Sequence, residues 1–97
     1  MIALNIDPRR QLLARFFRKF PNRRVQIAAD RILKQLLTLQ VPMAGKPGGW
    51  AGGIVYAVSS IGVGVPGVLN SELESVFQVS MATIYKRAAQ IRTSLAL

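Results

Sequence analysis

Residues 47 to 71 carry no charged side chain, and this run constrains the chain more than any other feature. It reads PGGWAGGIVYAVSSIGVGVPGVLNS, either a membrane span or the inside of a small domain. Residues 50 to about 61 are apolar all round, the pattern of a helix with protein or lipid on every side. Gly62, Gly64, Pro66 and Gly67 then punctuate the run so heavily that a regular helix does not continue through it. A helix that ends before Pro66 is about 12 to 15 residues long, against the roughly 20 needed to cross a bilayer. Gly49, Ala51, Gly52, Gly53 and Ala57 permit close helix packing in water and in lipid alike, so they do not decide. The punctuation argues for a buried central helix followed by a turn, and against a span.

At 97 residues the chain can bury one modest core, so a single domain over residues 1–97 is expected. Its charge is lopsided, with 13 Lys and Arg against 4 Asp and Glu, a net charge of +9. Such a field attracts polyanions, nucleic acid before an anionic membrane face, and exceeds what solubility alone asks of a small domain. The lack of Cys and His removes thiol nucleophiles, disulfides, imidazole bases and the usual zinc-ligand sets. Of the carboxylates, Asp7 and Asp30 are far apart, while Glu72 and Glu74 point to different sides of any helix they share. Gly48, Gly49, Gly52 and Gly53 lack the spacing of a phosphate-binding glycine loop. No enzymatic activity, cofactor, metal or small-molecule substrate is expected. A hydrophobic fraction of 51% is high for a small DNA-binding domain, and a subunit interface or a membrane could absorb the surplus.

Asp7-Pro8 has the form of a helix start, a capping carboxylate before proline at the first helical position. From there to about residue 19, Leu12, Leu13, Phe16, Phe17 and Phe20 recur at steps of three and four, with Arg9, Arg10, Arg15 and Arg18 mostly off the stripe. This amphipathic basic helix reads as a core helix with a solvated face in preference to a membrane-surface anchor. Residues 9 to 24, Arg-rich and acid-free, also suit a transit peptide, but serine is absent before Ser59 and cleavage would remove three of the four phenylalanines. The segment is therefore assigned to the fold. Phe20-Pro21-Asn22 ends it, and Asn22 can cap a second helix from 23 to about 39. Val25, Ala28, Ala29, Ile32, Leu33, Leu36 and Leu37 form its buried stripe, with Arg23, Arg24, Arg31 and Lys34 around the other side. Residues 41 to 49 read as a loop into the third helix.

The last third carries the functional signal. Asn70 or Ser71 can cap a short helix with Glu72 in its first turn and Leu73, Val76 and Phe77 on its apolar face. Gln78-Val79-Ser80 makes a tight turn, and Ser80 caps a further helix from 81 to about 95 with Ile84, Ala88, Ile91 and Leu95 on one face. This is a helix-turn-helix pattern over about residues 70–95. In such a unit the second helix lies in the major groove and the first braces it across the backbone. The outward set is then Ala82, Thr83, Lys86, Arg87 and Gln90, behind Ser80. Arg can fork onto guanine, Gln can pair with adenine, Thr can touch a base edge or phosphate, and Lys can neutralise phosphate. Any two short helices around a Val-Ser turn share this outline, and Lys86, Arg87 and Arg92 also suit a solvated face near a helix C-terminus. The net charge tips the reading toward DNA.

The residue order "FPNRRVQIAADRILKQLL", "GKPGGWAGGIVYAVSSIGVGVP", "NSELESVFQVSMATIYKRAAQIRTSL" resembles the cyclin-like core repeat of the archaeal and eukaryotic transcription factor B family. Pro21, Val25, Ala29 and Ile32 match its first part, Gly45-Lys46-Pro47 and residues 51 to 56 its second, and Gly64-Val65-Pro66 its turn. The resemblance spans roughly residues 8 to 95. It implies a five-helix cyclin-like bundle with a buried third helix and a helix-turn-helix on promoter DNA. Ser59-Ser60 and Gly67-Val68 stand where the family commonly has Arg and Arg-Thr, and the second repeat and zinc ribbon have no counterpart, so a general initiation role does not carry over.

Together these readings give an all-α, five-helix protein that binds double-stranded DNA as a transcription regulator, cytoplasmic and nucleoid-associated, or nuclear in a eukaryote. Ser80, Ala82, Thr83, Lys86, Arg87 and Gln90 are the candidate contacts, with Arg23, Arg24, Arg31 and Lys46 on phosphates. A homodimer would supply a second half-site and bury the apolar surplus. The alternatives are a cyclin-like protein-binding adaptor with a protein partner and a membrane-associated basic protein with residues 50 to 69 inserted.

Overall fold

Capping side chains and prolines set where the first helices begin. The computed structural model describes residues 7–59 and 65–97. Over these it holds five helices: α1 Pro8–Lys19, α2 Arg23–Thr38, α3 Pro47–Ser59, α4 Asn70–Phe77 and α5 Met81–Leu95. No strand occurs among the described residues, so the protein is all-α. The Asp7 carboxylate accepts the Arg9 backbone N–H at 2.9 Å, and the Asn22 side chain accepts Val25 N–H at 3.1 Å, each relieving one unpaired donor of a first turn. Asp7 also receives the Arg9 guanidinium through Nε and Nη2, both at 2.9 Å. That bond holds the Asp7 carboxyl below its ordinary range.

The core gathers around α3, which touches all four other helices. Leu13, Phe16 and Phe17 of α1, Leu33 and Leu36 of α2, and Leu73 and Phe77 of α4 close on Trp50, Ile54 and Val55. Phe16 stacks on Phe77 with ring centroids 5.3 Å apart, which ties the first helix to the fourth. Each such buried side chain contributes roughly 1.5–3 kcal/mol of apolar transfer. Two details of α2 differ from the periodicity: Leu37 is 40% exposed and Ala28 only half-buried, because the helices around α2 cover a narrower arc than its apolar residues span.

The third helix begins three residues before the expected residue 50, at Pro47, so Gly48 and Gly49 are helical and the loop is shorter. Glycine inside a helix costs roughly 0.8–1 kcal/mol relative to alanine, so the local sequence disfavours this start. Tertiary contact reverses the preference. A Cβ on Gly48 would overlap the carbonyl oxygen of Phe77 at the end of α4. One on Gly49 would stand 2.9 Å from Thr83 Cγ2, and one on Gly53 2.7 Å from Arg87 Cβ, both on α5. The four glycines thus form the groove in which α5 and the end of α4 lie, with Ile84 and Phe77 against Gly52.

Ser59, the last described residue of α3, donates its hydroxyl to the Val55 carbonyl at 2.5 Å. Ser60, Ile61, Gly62 and Gly64 lie outside the described residues. The chain re-enters through Val65-Pro66-Gly67-Val68, closed by a Val68 N–H to Val65 O bond of 3.1 Å. Gly67 has φ +74°, the left-handed third position that a Pro-Gly type II turn requires. The 13 described residues of α3 span about 20 Å at 1.5 Å per residue, and no helix among the described residues is long and apolar enough to cross a membrane.

Candidate nucleic-acid interface

The unit formed by α4 and α5 is held by four local bonds. Phe77 ends α4, and Gln78 turns the chain in the left-handed region at φ 56° and ψ 43°. Ser80 caps α5 by accepting Thr83 N–H at 3.3 Å. The Glu74 carboxylate reaches across the turn to accept Met81 N–H at 2.8 Å, satisfying a second donor in the first turn of α5. The expected side-chain cap of α4 by Asn70 or Ser71 does not form, because the helix already includes Asn70 and places Leu69 at the capping position. Glu72 instead accepts Leu69 N–H at 2.9 Å, and the Asn70 amide donates to the Tyr85 hydroxyl at 3.2 Å. Tyr85 meets Tyr56 of α3 edge to face at 5.2 Å. The start and one flank of α5 are therefore fixed before any partner arrives.

Ile84, Ala88 and Ile91 are buried, as their spacing predicts. The opposite face exposes Ala82, Lys86, Ala89, Gln90 and Thr93. Thr83 and Arg87 do not point outward as the helical wheel suggests; both are half-buried toward the glycine groove of α3. Arg87 lies over the Trp50 ring with its Cζ 4.5 Å from the centroid. Its Nη2 donates to the Ala44 carbonyl at 3.0 Å and its Nη1 to Gln90 Oε1 at 2.8 Å. Trp50 Nε1 donates to the same Ala44 carbonyl at 2.8 Å. Arg87 thus pins α5 to α3 and to the α2–α3 loop, and much of its donor fork is spent inside the protein. No sequence period could show this, since it depends on Gly45, Gly49 and Gly53 leaving room for the side chain.

The four supporting cations separate. Lys46 lies beside the α4–α5 turn, in a hollow of about 250 Å³ shared with Arg15 of α1, Pro47, Gly48 and Gln78. Arg31 lies at the opposite end of α5, in a hollow of about 540 Å³ with Arg92, Ala57 and Leu97. Arg23 and Arg24 are exposed in the first turn of α2 and line none of the hollows around α5. No family model matches the chain, and neither does a curated protein or a solved structure.

All four carboxylates are engaged: Asp7 with Arg9, Asp30 4.0 Å from Arg10, Glu72 with Leu69 N–H and Glu74 with Met81 N–H. The exposed cations Arg15, Lys46 and Lys86 have no acidic partner among the described residues. What the edge of α5 can do chemically is accept negative charge and present one lysine and one amide beside Ala82 and Ala89. The periodicity could not locate Arg15 or Glu74 as parts of this edge, because each arrives from a different helix.

Proposed function

We propose that the protein is a double-stranded-DNA-binding transcription regulator, without enzymatic activity, that lays α5 in the major groove as the second helix of a helix-turn-helix. The observation that carries the reading is the exposed stripe of Ala82, Lys86, Ala89 and Gln90 on a helix whose start is fixed by Ser80 and Glu74, in a chain of net charge +9. Lys86 neutralises phosphate or meets a guanine edge, the Gln90 amide reads an adjacent base, and Ala82 admits close approach to a thymine methyl. Ser80 and Thr83 sit at the helix start, within reach of a backbone phosphate. Arg87 acts as a positioning residue that holds Gln90 in place. Lys46 is a phosphate contact, and Arg31 one only if the duplex follows α5 to its C-terminal end.

The resemblance to the transcription factor B core repeat supports this reading through its element order, five helices with a buried third. A homodimer fits it as the source of a second half-site, and the DNA binding itself would place the protein on the nucleoid or in a nucleus. Exposed Ile27, Leu37 and Leu39 on and just after α2 are the large apolar side chains such an interface would cover.

The test is a titration of random and selected duplexes at two salt concentrations, on protein sized by chromatography. Affinity should fall steeply with salt, and Lys86→Ala should weaken binding while leaving the fold intact. Absence of duplex binding at low salt refutes the reading. One observation favours an adaptor instead: a hollow of about 400 Å³ where Val41, Pro42 and Trp50 face Ala89 and Thr93. Binding of a protein partner there with no salt dependence would replace DNA as the target.

A further inference from the structure

We infer that Arg15 and Lys46 form a phosphate anchor that carries the DNA interface past the α4–α5 turn and onto α1. The inference rests on the DNA-binding reading above and adds a contact from a helix outside the helix-turn-helix. Arg15 and Lys46 come from distant parts of the chain, both side chains are exposed, and the fold brings them to one hollow of about 250 Å³ beside Gln78. No acidic residue lines that hollow. Two cations converging without a counter-charge repel one another, and an incoming anion removes the repulsion.

The anchor is continuous with α5. Gly48 brings the start of α3 against the Phe77 carbonyl, and Gly49 lies so near α5 that a Cβ on it would stand 2.9 Å from Thr83 Cγ2. Lys46, immediately before that helix, therefore stands on the same edge as the first turn of α5. A duplex carries a phosphate at every nucleotide of both strands, so α5 entering a groove would bring Arg15 and Lys46 toward the flanking strand. Two flexible cations on an exposed edge suit a backbone phosphate, which carries no sequence information and fixes register. Arg23 and Arg24 bring the same charge to the start of α2 and do not line this hollow.

The experiment compares Arg15→Ala/Lys46→Ala with Arg23→Ala/Arg24→Ala on one duplex over a salt series. Both pairs lower the net charge by two, so a general field effect is equal in each. The single tryptophan, Trp50, and far-ultraviolet circular dichroism check the fold of every variant. Loss of two phosphate contacts should reduce the slope of log K against log salt by about 1.8, a roughly 10- to 60-fold loss near 0.1 M salt. That loss should be uniform across duplex sequences and be recovered in Arg15→Lys/Lys46→Arg, with Arg23→Ala/Arg24→Ala much less affected. Equal losses in the two Ala pairs overturn the anchor and leave only net charge. If Lys86→Ala weakens binding and Arg15→Ala/Lys46→Ala does not, the anchor fails while the DNA reading stands. If the unsubstituted protein binds no duplex, both fail.

Discussion

Lys86 and Arg87 are neighbours in sequence and opposite in role, and replacing each with alanine separates them. In Arg87→Ala the guanidinium over Trp50 at 4.5 Å is lost, an interaction of about 0.5–2 kcal/mol. The bonds to the Ala44 carbonyl at 3.0 Å and to the exposed Gln90 amide oxygen at 2.8 Å go with it, together about 1.5–3 kcal/mol because solvent replaces most of the second. Ala44 O keeps the Trp50 Nε1 donor, so no buried acceptor is orphaned. Against these losses, Arg87 Nε is buried without a hydrogen-bond partner, and its removal returns about 1–3 kcal/mol. The net destabilisation is about 2 kcal/mol, a fall in Tm of about 10 °C for a domain of this size. Lys86→Ala removes an exposed side chain that bonds to no other side chain among the described residues and should stay within about 0.5 kcal/mol of the unsubstituted protein. Urea and thermal unfolding followed by Trp50 emission measure both. Trp50 is 3% exposed, so its emission should shift to the red on unfolding. Under the proposed DNA-binding role, Arg87→Ala should also loosen the fixed Gln90 and cost DNA affinity indirectly, whereas Lys86→Ala should cost affinity at full stability. Equal stability of the two variants would refute the internal role of Arg87.

Other expectations follow from single contacts. Gly48→Ala should be less stable than the unsubstituted protein by about 1–3 kcal/mol despite the better helix propensity of alanine, because the new methyl meets the backbone of Phe77; a stabilised variant in urea unfolding would contradict the close approach of α3 and α4. Glu74→Ala should cost about 1 kcal/mol by freeing Met81 N–H, visible as faster amide exchange in the first turn of α5. Gln78→Gly should relieve the left-handed backbone and raise stability by up to about 1 kcal/mol. Since the bond from Arg9 lowers the Asp7 carboxyl's pKa in the folded state, its small stabilisation is present above the unfolded pKa and is lost as pH falls through the folded one. Asp7→Asn keeps the cap and should flatten that acid dependence in a pH series.

Much of the local structure was legible in the residues. Asp7-Pro8, Asn22 and Ser80 each mark a helix start that the structure keeps, since a cap is a contact over two or three positions. The buried faces of α1 and α5 follow their spacing, and the turn at Gln78 lies where the apolar period breaks. The start of α3 was not legible, because two glycines normally signal a loop and become helical here only through what packs against them. The same cause hid the direction of Thr83 and Arg87: a wheel assigns faces by angle, and the glycine groove widens the buried arc of α5.

The sequence by itself determined an all-α chain with five helices, the caps of three of them at Asp7, Asn22 and Ser80, a central helix free of charge and an excess of positive charge. Each of these is set by contacts within a few residues or by composition alone. Tertiary structure decided which cations share an edge. It turned Arg87 onto Trp50, joined Arg15 of α1 to Lys46, carried Arg31 to the far end of α5 and left Lys86 facing outward. Charges meet in space according to how the helices pack, and that packing rests on Gly48, Gly49, Gly52 and Gly53. The uncharged run therefore does more than fill the core: its glycines set where α5 lies and so which side chains it presents.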